Sequence, residues 1–352
     1  MVLNWIRGFY VKAREGDLIK TESNVVFDVK GIVHPPNKVI AFPRFIPSKQ
    51  GTRKGKDTFY GKVYSLNERF KYLQENQPNL IVFDPVFGET LCEVPTTYIT
   101  KHYQPLEKLA SLRTSKHLNA LENKAIRLTE TLKEKADIPW SAIGISGSIM
   151  AGLTTEKSDI DPIVYGVENI HKAYTALQEL LKDKKSGFKT YSPEEFQTLF
   201  DFRSKDTQMS FENFTLVESR KAFQGMFMKT EYFIRFVKEW NETNEQYGDL
   251  CYKNSGYAKI TANIADASDS LFTPCTYKLK DVVVVEGPKL SPITEIVSFR
   301  GRFCEELPTN LREPPTVQAQ GKVEFVTDNR TGETHCRIII GNKPTDYMVI
   351  KY

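Results

Sequence analysis

The chain has 352 residues, long for one hydrophobic core, so two or three domains are expected. Apolar residues make up 40% and charged residues 26%, which excludes a low-complexity chain, and no apolar run is long enough to span a bilayer. Formal net charge is only +4, but its distribution is uneven.

Met1 to Arg7 lacks the long apolar stretch of a secretory signal, so no membrane partner and a cytoplasmic location are expected. Cysteines at 92, 251, 275, 304 and 336 are widely separated, with no Cys-x-x-Cys. Neither a disulfide framework nor a structural zinc site is indicated. The five histidines form no ligand-spaced cluster.

Residues 1–104 carry short alternating or apolar runs at 24–29, 38–42, 59–64, 80–83 and 91–94, punctuated by Gly and Pro. This predicts a small, mostly antiparallel β-rich domain, with a mobile loop at 51–55. From Arg44 to Tyr72 eight basic residues face two acidic ones, interleaved with six aromatics. Basic groups can neutralise phosphates while rings stack on unpaired bases, so the segment could guide single-stranded nucleic acid. The ordinary reading, a solvated loop with β-core aromatics, is preferred because charge runs usually serve solubility.

Residues 105–245 change period. Leu118, Leu121, Ala125, Leu128 and Leu132 predict a long amphipathic helix ending before Asp137. After Gly166 a second helix is expected, with Asn169 as N-cap, and Ser192 to Glu195 has capping-box spacing for another. Residues 246–352 return to β, with candidate strands at 257–264, 276–279, 282–285, 296–299, 321–326 and 335–340. A turn at 328–332 and a connector at 308–315 complete a small barrel or sandwich.

Between the first two helices lies the stretch that carries chemistry, residues 144–166. A Gly147-Ser148 turn is followed by Ser158-Asp159-Ile160-Asp161. In an extended strand residues i and i+2 share a face, so Asp159 and Asp161 present adjacent carboxylates while Ile160 turns into the core. Paired carboxylates suit Mg²⁺ or Mn²⁺, which completes its shell with substrate phosphates. Without a side chain at Gly147 the backbone can approach phosphate closely, Ser148 can donate to it, and a helix starting there would favour the same anion. A Ser-Asp-x-Asp sequence alone is common in acidic loops. Its spacing from a Gly-Ser turn raises its weight.

Gly147, Ser148, Gly152, Leu153, Ser158, Asp159, Ile160 and Asp161 resemble the signature of the DNA polymerase beta-like nucleotidyltransferase superfamily, in particular its archaeal predicted members. The resemblance covers about residues 140 to 166. It implies an α+β chain with a central polymerase-beta-like α/β domain between two β-rich domains, and two-metal transfer of NMP from a nucleoside triphosphate to a hydroxyl. Asp159 and Asp161 would then be catalytic and metal-binding, with Gly147, Ser148 and Ser158 nucleotide-binding. Pro162 departs from the pattern and suggests an edge position or an early end of the sheet.

The family's third carboxylate has no unambiguous equivalent here. In the strand-like run 231–237, Glu231, Phe233, Arg235 and Val237 share a face. Glu231 is the candidate third catalytic carboxylate, and Arg235 could pair with it or bind phosphate. Asp201, Asp206 and Glu212 rank lower, since their surroundings read as helix or loop. RNA, with a tRNA-like 3′ end as one form, is the first acceptor considered. A protein or small-molecule acceptor, and a non-catalytic nucleotide-binding or RNA-binding module, are the competing readings.

Overall fold

The computed structural model describes residues 11–204, 209–288, 292–307 and 315–351. Asp206 and residues 308–314 of the expected connector lie outside them. The chain is α+β, and among the described residues no helix is long and apolar enough to cross a membrane.

The N-terminal portion is built on antiparallel strands β1 (Leu18–Thr21), β2 (Val26–Val29), β3 (Lys38–Pro47), β4 (Arg53–Lys54) and β5 (Phe59–Lys62). Helix α1 (Leu66–Asn76) precedes β6 (Ile81–Asp84), β7 (Glu89–Pro95) and β8 (Ile99–Tyr103). The strands pair in the order β4-β5-β3-β2-β1-β8, and β7 joins β3 to β6. Helix α1 went unforeseen although its signal is in the sequence: Ser65 and Glu68 form a capping box. Residues 51–55 are no free loop, since Arg53 is buried and Arg53 and Lys54 pair with Tyr60 and Phe59.

The central portion begins with α2 (Pro105–Thr114) and α3 (Ala120–Ala136). Helix α3 is capped by an Asn119–Glu122 box and stopped by Asp137 in the left-handed conformation. Then come β9 (Ile143–Ile145), α4 (Gly147–Ala151), β10 (Pro162–Tyr165), α5 (Val167–Lys182), β11 (Phe188–Lys189), α6 (Pro193–Arg203), α7 (Phe211–Glu218), β12 (Gln224–Phe227), β13 (Thr230–Phe233) and β14 (Arg235–Val237). Gly166, not Asn169, sits at the start of α5; Asn169 lies inside the helix and donates to the Tyr165 carbonyl at 3.0 Å.

Strand β10 is central in a mixed sheet ordered β14-β10-β9, parallel to β14 and antiparallel to β9. Strand β10 is thus no edge strand, but Pro162 is its first residue and faces Ile145, the last of β9, so the three-stranded sheet does end there. The missing N–H of Pro162 falls where the run 230–237 breaks into β13 and β14, so the interruption is shared with the neighbouring strand.

The C-terminal portion contains β15 (Leu250–Asp266), β16 (Cys275–Glu286), β17 (Ile293–Ser298), β18 (Thr316–Asp328), β19 (Thr334–Ile339) and β20 (Tyr347–Ile350). Pairing runs β15-β16-β17-β19-β18 and returns from β18 to β15, closing a five-stranded barrel with β20 added on β18. The two strands expected at 276–279 and 282–285 are one strand, β16, that passes through Asp281 at positive φ. All five cysteines are free, four of them buried. One apolar core runs from α3 and α5 through Ile160 and Val164 into Ile260, Tyr277 and Val323 of the barrel.

Candidate functional site

Strand β9 delivers the chain to Ser146, whose N–H donates to the Asp161 carbonyl at 2.8 Å, and then to the Gly147 turn and the five-residue α4. Gly147 has φ +61°, and a Cβ there would lie 1.8 Å from Asp161 Oδ2. Only glycine leaves room for the Asp161 carboxylate against the turn. Helix α4 ends at Gly152, also left-handed, and the following loop is fastened by Ser158. The Ser158 hydroxyl accepts from the Thr155 N–H at 2.8 Å and lies 3.4 Å from Arg53 Nη1, while the other contact of Arg53 is the Leu153 carbonyl. Ser158, expected to contact nucleotide, is 6% exposed and spends its oxygen holding the loop that leads into the aspartates.

The backbone of Ile160 bonds to β13: its N–H donates to the Glu231 carbonyl at 2.9 Å and its carbonyl accepts from Phe233 at 3.0 Å. Ile160 bridges Tyr232 in parallel, and Ile163 pairs with Arg235 further along. Asp159 is thus level with Glu231 and Asp161 with Phe233, with alternation directing Asp159, Asp161, Glu231, Phe233 and Arg235 to one face. Ile160 is fully buried on the other.

Among the described residues neither aspartate side chain has a hydrogen bond or ion pair. Burial, with the neighbouring charge of Asp159, pushes the Asp161 carboxyl up to about 7 against the opposing pull of Lys62, Arg235 and Arg44. A cation between the two carboxylates would relieve that repulsion. Asp161 borders a solvent-open cavity of about 40 Å³, lined also by Ser148, Asp28, Arg44, Lys62 and Arg235. Ser148 Oγ is buried there with no hydrogen-bond partner among the described residues. Two hard-oxygen ligands and an unpartnered hydroxyl fit a divalent cation that takes its remaining ligands from phosphates and water.

Glu231 accepts from the Tyr191 hydroxyl at 2.8 Å. The residue as a whole is exposed, but its carboxyl end is desolvated against Tyr191, which raises its pKa; the tyrosine hydrogen bond opposes that rise and the charge of Asp159 adds to it. No group of three or more His, Cys, Asp or Glu among the described residues is arranged to hold a metal, so Glu231 stands beside the aspartate pair rather than within a three-carboxylate cage. Asp201, on α6, accepts from Gln197, and Glu212 is exposed in the first turn of α7.

Arg235 reaches the N-terminal portion and forms an ion pair with Glu15 at 3.0 Å, with Asp28 at 4.0 Å. Asp28 is also held by Lys30 at 2.8 Å; burial works against its charge, yet Lys30, Arg235, Arg69 and Arg44 keep its carboxyl well below the usual range. The N-terminal sheet packs on this face. Ser146 Oγ donates to the Gly16 carbonyl at 2.6 Å, and Leu18, Val26, Phe45 and Tyr60 bury against Met150 and Leu153. A Cβ at Gly16 would lie 2.1 Å from Ile163 Cδ1, which shows how closely the portions approach. Arg44 and Lys62, both in the basic segment whose preferred reading from sequence is a solvated loop, line the aspartate cavity. Sequence offered no signal for that: Lys62 lies opposite Phe45, and Arg44 is the extra residue where the register of β3 against β2 shifts, so simple alternation does not place the two together.

The chain is 29% identical to uncharacterized protein MJ1086 of Methanocaldococcus jannaschii, over 97% of its own length and 100% of that protein. No protein-family model matches the chain, and no solved structure does.

Proposed function

We propose that the chain is a metal-dependent nucleotidyltransferase of the polymerase-beta-like kind. One observation carries the reading: Asp159 and Asp161 flank the bridge residue Ile160 in the segment that leads into β10, against a Gly147-Ser148 turn, with Glu231 level with Asp159 on the adjoining β13. The mixed sheet ordered β14-β10-β9 supports it as the frame for that arrangement.

In this reading Asp159 and Asp161 hold Mg²⁺ or Mn²⁺, which when bound supplies charge neutralisation to the triphosphate and to the attacking and leaving oxygens. Gly147 lets phosphate approach the backbone and Ser148 offers its free hydroxyl. Glu231, its pKa raised toward the working range, takes the acceptor's proton, while Tyr191 fixes the carboxylate's position. The acceptor oxygen bonds to the α-phosphorus, the bond from that phosphorus to the bridging oxygen breaks, and pyrophosphate leaves. Ser158 and Arg235 act by shaping: one holds the loop, the other ties the N-terminal sheet over the site.

An RNA hydroxyl is the proposed acceptor, on the strength of the exposed Lys49, Lys54, Lys56 and Phe59 around the β4–β5 hairpin. A second reading, a nucleotide-binding module without turnover, is favoured by the absence of a three-carboxylate group among the described residues. Incubation with each α-labelled NTP, Mg²⁺ or Mn²⁺ and total RNA separates the two. Transfer of label that disappears in Asp159→Asn/Asp161→Asn supports the enzyme, nucleotide binding without transfer supports the module, and undiminished transfer by the double variant overturns the metal assignment.

A further inference from the structure

Three cations line the aspartate cavity, and they are not equivalent. Arg235 is committed to Glu15 and Asp28. Arg44 and Lys62 make no ion pair within 4.0 Å among the described residues, although both bear electrostatically on Asp161. Arg44 sits on β3 and Lys62 at the end of β5, and Phe45 pairs with Lys62 across these strands. One ring orients both side chains: the Arg44 guanidinium lies 5.3 Å and the Lys62 ammonium 5.0 Å from the centroid of Tyr64. Arg44 is further fixed by donating to the Val63 carbonyl at 3.3 Å. Tyr64 in turn meets Phe202 of α6 edge-on at 5.7 Å, so the two portions of the chain clamp this corner.

We propose that Arg44 and Lys62 of the N-terminal sheet bind the polyphosphate of the nucleotide, so that the nucleotide site is divided between two portions of the chain. The inference rests on the nucleotidyl-transfer reading above. Its argument is one of charge. Once a divalent cation neutralises Asp159 and Asp161, Lys62 is left at the cavity without an ion pair and Arg44 with only the charge of Asp28, which Lys30 and Arg235 also share, and a polyphosphate supplies the missing counter-charge. Ser148 Oγ, buried and unpartnered beside them, adds a neutral donor. The pocket is open to solvent, so the part of a ligand beyond these groups need not be enclosed.

The test uses the full chain and inorganic tripolyphosphate with Mg²⁺, which removes base selection from the question, read by titration calorimetry. Arg44→Gln and Lys62→Gln are each expected to weaken binding by roughly tenfold or more, as for loss of a charge-assisted hydrogen bond. Lys62→Arg is expected to restore it, and Mn²⁺ binding without phosphate is expected to persist. Lys62, only partly buried at a strand end, carries the test alone if Arg44→Gln fails to fold. Wild-type affinity in Lys62→Gln, alongside loss in Asp161→Asn, overturns this inference and leaves the nucleotidyltransferase reading standing. A wild-type chain that binds neither tripolyphosphate nor any NTP with Mg²⁺ overturns both.

Discussion

Gly147 and Gly152 bracket α4 with nearly the same backbone, φ +61° and +69°, yet in different surroundings. Alanine at either pays the left-handed penalty of about 1–2 kcal/mol. At Gly152 nothing lies within 4 Å of the added Cβ, so strain is the whole effect. At Gly147 the Cβ lands 1.8 Å from Asp161 Oδ2 and 2.6 Å from its Cγ, and reaching ordinary contact at 3.4 Å drives the oxygen back by about 1.6 Å. Metal ligands tolerate displacements of only about 0.2 Å. Gly147→Ala is therefore expected to lower Mn²⁺ affinity by about 10–100-fold, the range seen when groups supporting a metal ligand are removed. Gly152→Ala should lose only the strain of about 1–2 kcal/mol and bind Mn²⁺ like the parent. Electron paramagnetic resonance titration of free Mn²⁺, with thermal unfolding of both variants, reads the two effects separately. Equal Mn²⁺ affinities in the two variants would refute the reasoning that the turn positions the carboxylate.

Two buried titrating groups predict pH dependences of opposite sign. Burial lowers His34 from 6.5 to about 4, against the hydrogen bond to the Ala13 carbonyl, and its Nδ1 accepts from the Ile40 N–H at 3.2 Å. The unfolded chain takes up that proton first, so the contribution, about 3 kcal/mol, is fully present above pH ~6.5 and is lost as pH falls toward 4. His34→Asn should flatten the stability profile of urea unfolding across that window, and an unchanged slope counts against the assignment. Burial raises Glu305 from 4.5 to about 7 despite donation from Tyr174 and from the Ala222 N–H. Here the folded chain holds the proton longer, so stability of about 3 kcal/mol present below pH ~4.5 is lost as pH rises through 7. Glu305→Gln should gain stability over the parent at pH 8 and show no such gain at pH 4.5. A gain equal at both values would rule out titration as its cause.

Local pattern made much of this molecule legible. The Ser192 cap, the stop of α3 before Asp137 and the turn at 328–332 are each set by neighbours a few residues apart, and each emerged where the residues indicated. Helix α1 was equally local, but the strand-like run 59–64 and the basic, aromatic character of 44–72 obscured the Ser65–Glu68 box. What sequence could not supply depends on distant partners. Arg235 looked free for phosphate because Glu15 lies 220 residues away. Pro162 looked like an edge residue because its effect depends on where β13 and β14 divide. Arg44 and Lys62 looked like part of a surface run until β3 and β5 were paired beneath the aspartates.

The bond between Glu15 and Arg235 also sets a timetable for synthesis. A ribosome adding about 5–20 residues per second completes the N-terminal sheet well before it makes the cation that sheet encloses, so for on the order of tens of seconds Glu15 has Lys30 but not Arg235 as its counter-ion. Over the same interval Leu18, Val26, Phe45 and Tyr60 remain bare until Met150 and Leu153 emerge to cover them. The nascent chain is thus most open to proteolysis and sticking early in its production, and a stalled or prematurely ended translation product would expose the surface on which the finished molecule closes.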